Sequence, residues 1–112
     1  MNVVWQDYAN EVTLRSLRLA GVPPYVLNVT GPELISVRQA AEALGAALGR
    51  EPEFTGEESP TALLSNAARC HRRFGYPEPT PAELIEHTAR WVADSGPLLG
   101  EPTKFERRDG RF

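Results

Sequence analysis

The sequence predicts an α/β fold, as a helix-rich chain with a few short strands. Residues Tyr25–Val29 combine β-branched and apolar side chains, which favour a short buried strand. The Thr30-Gly31-Pro32 turn ends that strand, because Gly31 permits a positive φ and Pro32 donates no hydrogen bond. A helix with a capping signal at Ser36 follows. Strand, turn and capped helix make half of a β-α unit, from which α/β proteins are built.

The helix after Ser36 has the clearest pattern in the chain. Ser36 and Gln39 have the spacing of a capping box, in which each side chain bonds the other residue's backbone amide. Gly49 stands where a left-handed C-terminal cap is expected. The apolar residues recur at helical spacing and form one face over three turns: Val37, Ala40, Ala41, Leu44, Ala47 and Leu48.

A first helix is predicted upstream, with Asp7 as its N-cap and Gly21 as its end. Asn2–Trp5, just before it, suggests a short strand, so the first fifty residues are predicted as strand, helix, strand, helix. Glu53–Thr55 suggests a third short strand. The apolar face of the first helix contains Ala9, Val12, Leu17 and Ala20, with Leu14 beside it.

The segment from Ser59 to Gly75 admits two interpretations. A helix begins either at once, with Ser59 as cap and Pro60 at its first position, or only after Ser65. Periodicity does not separate them, and Gly75 ends the helix in both. A last helix begins with a second capping box, Thr80-Pro81-Ala82-Glu83, and is predicted to end at Gly96-Pro97.

Length and charge narrow the class of protein. A chain of 112 residues is one domain or a piece of one, here divided into a unit at 1–96 and an irregular tail at 97–112. The net charge of −3 argues against a nucleic-acid partner, and Arg72-Arg73 is expected to be a solvated pair. Cys70 is the only cysteine, so no internal disulfide forms. Without a membrane-length apolar run or signal-peptide pattern, we expect a cytoplasmic protein with no membrane partner.

Motifs for self-contained chemistry are missing from the sequence. None of the nine glycines belongs to a G-x-G-x-x-G or P-loop motif that would hold a nucleotide. His71 and His87 are sixteen residues apart and accompany one cysteine, so no metal-ligand spacing is recognisable. Ser65 and Ser95 do not lie in a nucleophile-elbow sequence. We therefore expect no catalytic, cofactor-binding or metal-binding residue in this chain.

Several stretches, in this order, resemble the C-terminal portion of the extended short-chain dehydrogenase/reductases, the NAD-dependent epimerase/dehydratase family. Val4-Trp5-Gln6-Asp7-Tyr8-Ala9 is similar to a strand that steps into a helix in that family. Leu27–Gly31 with Ile35-Ser36-Val37 is similar to its "Y-N-V-G … S-V" segment, and Ser65–Pro77 to its "D-x-S-K-A … L-G-W-x-P" segment. Thr80 to Trp91 then corresponds to the family's usual last helix. The resemblance covers residues 3 to about 93 and favours a third helix that begins after Ser65.

The resemblance also shows what this chain lacks. Family members bind the dinucleotide with an N-terminal Rossmann domain, whose glycine-rich turn is missing here. Their Tyr-x-x-x-Lys pair is missing too, since Val12, Val29 and Thr80 stand four residues after the three tyrosines. The stretch EFTGEESPT is acidic where members that use nucleotide sugars carry an arginine, which argues against a nucleotide-diphosphate sugar as substrate.

The resemblance implies the substrate-binding C-terminal region of an NAD(P)-dependent epimerase, dehydratase or reductase that is not catalytically competent alone. NAD or NADP would belong to a complete protein, and this chain would shape the pocket of a small-molecule substrate. The implied substrate-binding residues are Trp5 and Gln6 at a strand end, and Glu57 and Thr61 on the acidic loop. The alternative is a stand-alone interaction or oligomerisation module. Self-association is expected, because the first helix and central strand would expose apolar faces.

Overall fold

The computed structural model describes residues 1–62 and 64–101. No strand or sheet occurs in this part of the chain. A short 3₁₀ helix at Leu17–Leu19 continues the first of its four α-helices. The α-helices are α1 (Gln6–Ser16), α2 (Val37–Leu48), α3 (Ala68–Phe74) and α4 (Pro81–Ala93). The α/β prediction is therefore wrong: the described part of the chain is helical.

The three segments predicted as strands, Asn2–Trp5, Tyr25–Val29 and Glu53–Thr55, have no regular secondary structure. Within the described residues, Tyr25–Val29 makes no backbone–backbone hydrogen bond, and Val26 is 71% exposed. A β-prone sequence becomes a strand only beside a partner strand, and a stable sheet needs about three of them. The prediction of a buried strand at Tyr25–Val29 is therefore wrong in both respects, since no described neighbour completes a sheet and only Leu27 and Val29 are partly buried.

The N-terminal residues pair with the turn instead of with a strand. The amide of Gly31 donates to the carbonyl of Val3 at 2.9 Å, and the amide of Ile35 donates to the carbonyl of Met1 at 2.8 Å. An added Cβ at Gly31 would collide with the Val3 carbonyl oxygen. Glycine is therefore required here for the close approach of two backbones.

The capping predictions are confirmed where local chemistry decides the helix ends. The Ser36 hydroxyl accepts a hydrogen bond from the Gln39 amide, but the return bond from the Gln39 side chain is absent among the described residues, so only half of that predicted box forms. Gly49 takes the left-handed conformation with φ 66°. Thr80 and Glu83 form the complete capping box, with Pro81 at the first helical position. α4 ends at Ala93, before the expected Gly96-Pro97 stop.

The ends of α1 differ from the prediction. Its N-cap is Trp5, so Asp7 lies in the first turn, where a carboxylate suits the positive end of the helix dipole. The α-helix stops at Ser16, well before Gly21, and the 3₁₀ helix that follows turns Leu17 outward to 70% exposure. Leu17 was predicted on the buried face. Tyr8 is buried there instead, one helical turn before Val12.

α3 begins at Ala68 and ends before Gly75, whose φ is 89°. The later of the two predicted starts is therefore confirmed. Asn66 stands just before the N-cap residue Ala67, and its Oδ1 accepts a hydrogen bond from the Ala68 amide at 2.9 Å. This side-chain oxygen accepts from an amide two residues further along the chain, and it thereby satisfies one of the backbone N–H donors left free at a helix start.

The core is small and lies mainly between α1 and α3. Its buried side chains are Tyr8, Val12, Ala67 and Cys70. Four partly buried residues pack around them: Val4, Leu27, Val29 and Phe74. α2 packs against α4, where Ala89 is buried.

Residues 102–112 of the predicted tail lie outside the described residues, and Pro97–Glu101 have no regular secondary structure. Across residues 1–62 and 64–101, no helix combines the length and apolar content that crossing a bilayer demands.

Candidate functional site

Two of the four predicted substrate-binding residues lie at the start of α1. Trp5 is half-buried, and its indole Nε1 donates to the Asp7 carboxylate at 3.1 Å. Its ring meets the His87 ring edge-on, with centroids 5.7 Å apart. Gln6 is exposed as the first residue of the helix. Trp5 therefore links α1 to α4, while Gln6 faces solvent.

The other two predicted residues, Glu57 and Thr61, are exposed on the acidic loop. The Thr61 hydroxyl lies 3.4 Å from that of Ser59, which also accepts a hydrogen bond from the Thr61 amide. Among the described residues, no hydrogen bond joins this loop to Trp5 or Gln6. The described hydrogen bonds therefore do not bring the two pairs together.

A cleft of about 620 Å³ lies between the Gly31 turn and α3, and we call it the His71 cleft. The His71 ring packs on Tyr76 with centroids 4.9 Å apart, and its Nε2 lies 2.8 Å from the Thr30 carbonyl oxygen. A carbonyl only accepts hydrogen bonds, so Nε2 carries the proton and Nδ1 is the acceptor in the neutral ring. None of the four predicted substrate-binding residues lines the His71 cleft. Polar lining is contributed by Asn2, Ser65, Asn66, His71, Arg72 and Tyr76.

Asn2 connects the two walls of the His71 cleft. Its Nδ2 donates to the Glu33 carbonyl at 3.0 Å, and its Oδ1 accepts from the Ser65 amide at 2.9 Å. Asn28 adds a third link by donating to the Asn66 carbonyl at 3.1 Å. The walls are therefore held by side chains from segments that lack secondary structure.

The chemistry of the His71 cleft is that of binding. Its described lining has an aromatic shelf, an arginine and hydroxyl groups, but no carboxylate. Ser65 and His71 line the same cleft, yet the His71 Nε2 is engaged by Thr30 and no acidic residue orients the ring. A serine nucleophile needs such a base with an orienting partner. The described residues of the His71 cleft do not form that relay.

The second group of interest is the buried pair Tyr8 and Cys70. The Tyr8 hydroxyl donates to the Gly75 carbonyl at 2.6 Å and lies 3.6 Å from the Cys70 sulfur. Because the single phenol proton goes to Gly75, the thiol is the donor in the second contact. Burial, followed by the hydrogen bond with Cys70, raises the pKa of Tyr8 to about 12. Tyr8 therefore stays protonated at neutral pH, as a structural group.

The raised pKa of Tyr8 predicts a loss of stability at high pH. The unfolded phenol ionises near pH 10 and the folded one near 12, so the folded state holds more protons between these values. The contribution of Tyr8 is fully present below pH 10 and is lost as the pH rises towards 12. Urea unfolding of the wild type and Tyr8→Phe at a series of alkaline pH values measures it. A stability difference between them that does not shrink with pH would contradict the assignment.

No group of three His, Cys, Asp or Glu side chains in the described ranges is placed to hold a metal ion. Comparison with models of protein families, with curated proteins and with solved structures found no match.

Proposed function

We propose that this chain supplies the substrate-side region of a larger NAD(P)-dependent epimerase- or dehydratase-type oxidoreductase, and is not catalytically competent alone. The observation that carries the proposal is how little the chain buries. Fifteen large apolar side chains of the described residues are exposed. Five apolar residues are buried in the described part of the chain. A chain with so small a core is expected to be completed by another protein surface.

Our basis for proposing what that larger protein is remains the sequence resemblance. The stretches that carry it include Trp5 and Gln6, and the acidic loop with Glu57 and Thr61 stands where family members contact substrate. In the complete enzyme, another part of the protein would bind NAD or NADP, and hydride would pass between cofactor and a carbon of a small-molecule substrate. Trp5, Gln6, Glu57 and Thr61 would bind and orient that substrate. A cytoplasmic location is part of this proposal.

Calorimetric titration with NAD and NADP tests whether this chain lacks a cofactor site of its own. We expect no binding to this chain alone, because it lacks a glycine-rich loop for the pyrophosphate. Tight binding would contradict it. The coding sequence upstream of the Met1 codon tests whether the chain belongs to a larger oxidoreductase, and we expect a glycine-rich segment with a Tyr-x-x-x-Lys pair there.

Substitutions in the complete protein, in which this chain is joined to the glycine-rich segment, would test the proposed substrate-binding residues. Glu57→Gln is expected to raise the KM for the substrate and leave cofactor affinity unchanged. Glu53→Gln is the matched control, since it removes a neighbouring loop charge outside the proposed site. Equal effects of the two substitutions would remove Glu57 from the site.

A stand-alone interaction module is the second candidate, and exposed apolar residues favour it. Leu14, Leu17, Val22 and Val26 are all exposed, and Leu17 and Tyr25 line one cleft of about 460 Å³. Exposed apolar surface of this kind promotes association. If this surface were the function, the chain would self-associate through it, and salt would not weaken the assembly. Sedimentation that shows a monomer at high concentration would contradict this candidate.

A further inference from the structure

Basic charge is concentrated in a cleft of about 720 Å³ between the end of α1 and α3, which we call the arginine cleft. Arg15, Arg18, Arg72 and Arg73 line it. These are four of the twelve basic residues in a chain whose net charge is −3. Of these four arginines, only Arg15 forms a salt bridge within the described residues, an exposed one to Glu11 at 2.8 Å. The cleft is therefore a local site for anions on an acidic protein.

The arginine cleft also has apolar surface. Phe74 is half-buried in it, and the Arg15 guanidinium lies 5.0 Å from the centre of the Phe74 ring. Leu14 and Leu19 line the same cleft. An anionic group that carries an aromatic or aliphatic side chain would contact both kinds of surface, whereas a simple anion would contact the arginines alone.

The chain carries a segment with the complementary chemistry. The acidic loop, residues 51–61, contains four glutamates and no basic residue. All four are exposed, and Phe54 between them is 43% exposed. Glu58 pairs with Arg38 at 2.7 Å, but both side chains are largely in solvent. Such a pair contributes little to stability. Arg38 also lies 4.2 Å from the centre of the Phe54 ring, so both contacts open when the loop meets another partner.

We propose that the arginine cleft of one copy of this chain binds the acidic loop of a second copy. The glutamates would pair with Arg18, Arg72 and Arg73, and Phe54 would pack beside Phe74. Charge complementarity would determine which residues of the two copies face each other in this contact. The contact joins two different surfaces, so it builds a closed ring or an open chain of copies. The inference does not rest on the oxidoreductase proposal.

Sedimentation velocity of the full chain across concentration and salt gives the first test. We expect the average mass to rise with concentration at about 25 mM salt and to fall towards the monomer at about 500 mM, because exposed charges are screened. Inorganic phosphate is expected to compete. A chain that stays monomeric at low salt overturns the proposal, including the case in which phosphate binds and the cleft serves a small anion. Association unaffected by salt overturns it too, in favour of the apolar surface.

Charge exchange gives the decisive test. The variants Arg72→Glu/Arg73→Glu and Glu57→Lys/Glu58→Lys should each weaken self-association at least about tenfold, while an equimolar mixture of the two should associate again. Arg90→Glu and Glu86→Lys, exposed changes of the same kind on α4, are the controls and should leave association unchanged. Circular dichroism confirms that each variant is folded. Folded variants whose mixture stays monomeric would overturn the proposed pairing.

Discussion

Replacing Tyr8 with alanine is expected to lower the unfolding free energy by about 3–5 kcal/mol, the range for removing a buried aromatic ring. Tyr8 is 8% exposed and packs with Val12, Ala67 and Cys70 in the main core. A small domain has only about 5–15 kcal/mol in total, so this variant is expected to lose a large fraction of its stability. Urea unfolding followed by circular dichroism measures the change.

Two further variants separate the causes of the Tyr8 effect. Tyr8→Phe keeps the ring and removes the hydrogen bond to the Gly75 carbonyl, which is worth about 1 kcal/mol. Leu14→Ala, on the same helix but 69% exposed, is the control and should change stability by less than about 0.5 kcal/mol. If Tyr8→Ala and Leu14→Ala were equally mild, the contact between α1 and α3 would not be the main source of stability.

The features predicted correctly from sequence depend on residues close together in the chain. Ser36 and Gln39, or Thr80 and Glu83, are three residues apart, and their hydrogen bonds form once one helical turn exists. Gly49 needs only its own backbone conformation. Local signals of this kind located α2 and the start of α4 without knowledge of the fold.

The prediction of a sheet was wrong because strand pairing depends on residues that are distant in the sequence. Tyr25–Val29 has the composition of a strand, but composition does not show whether another segment will pair with it. In the structure Val3 and Met1 pair with Gly31 and Ile35 instead. A resemblance to an α/β family strengthened the expectation of strands that this chain does not form.

The site could be predicted only in part, for the same reason. The sequence showed only that His71 has no metal-ligand spacing, because its position depends on a contact with the Thr30 carbonyl, forty-one residues away. Tyr8 could have been found from sequence, because it stands four residues before Val12 on the same helical face. The arginine cleft could not, since Arg15 and Arg18 meet Arg72 and Arg73 only after α1 and α3 pack.

Gly45 in α2 is the position where helix propensity and packing predict opposite outcomes for an alanine substitution. Gly45 is buried, and its carbonyl accepts a hydrogen bond from the Arg50 amide at 2.9 Å as the chain turns back at Gly49. An added Cβ would collide with the Arg50 carbonyl oxygen and lie 3.0 Å from Cδ of Pro52. Propensity alone predicts that alanine inside a helix stabilises by about 1 kcal/mol relative to glycine.

We expect the collision to outweigh the gain in helix propensity. Gly45→Ala should therefore lower the unfolding free energy by about 1–3 kcal/mol, as overpacking does. The Arg50 carbonyl is backbone, and it can move away only if the turn after α2 is displaced. Gly21→Ala is the matched control, because no atom lies within 4 Å of its added Cβ. It should be neutral or stabilise slightly through the unfolded state. Thermal unfolding of the two variants tests the sign, and a Gly45→Ala protein more stable than the wild type would show that the turn yields freely.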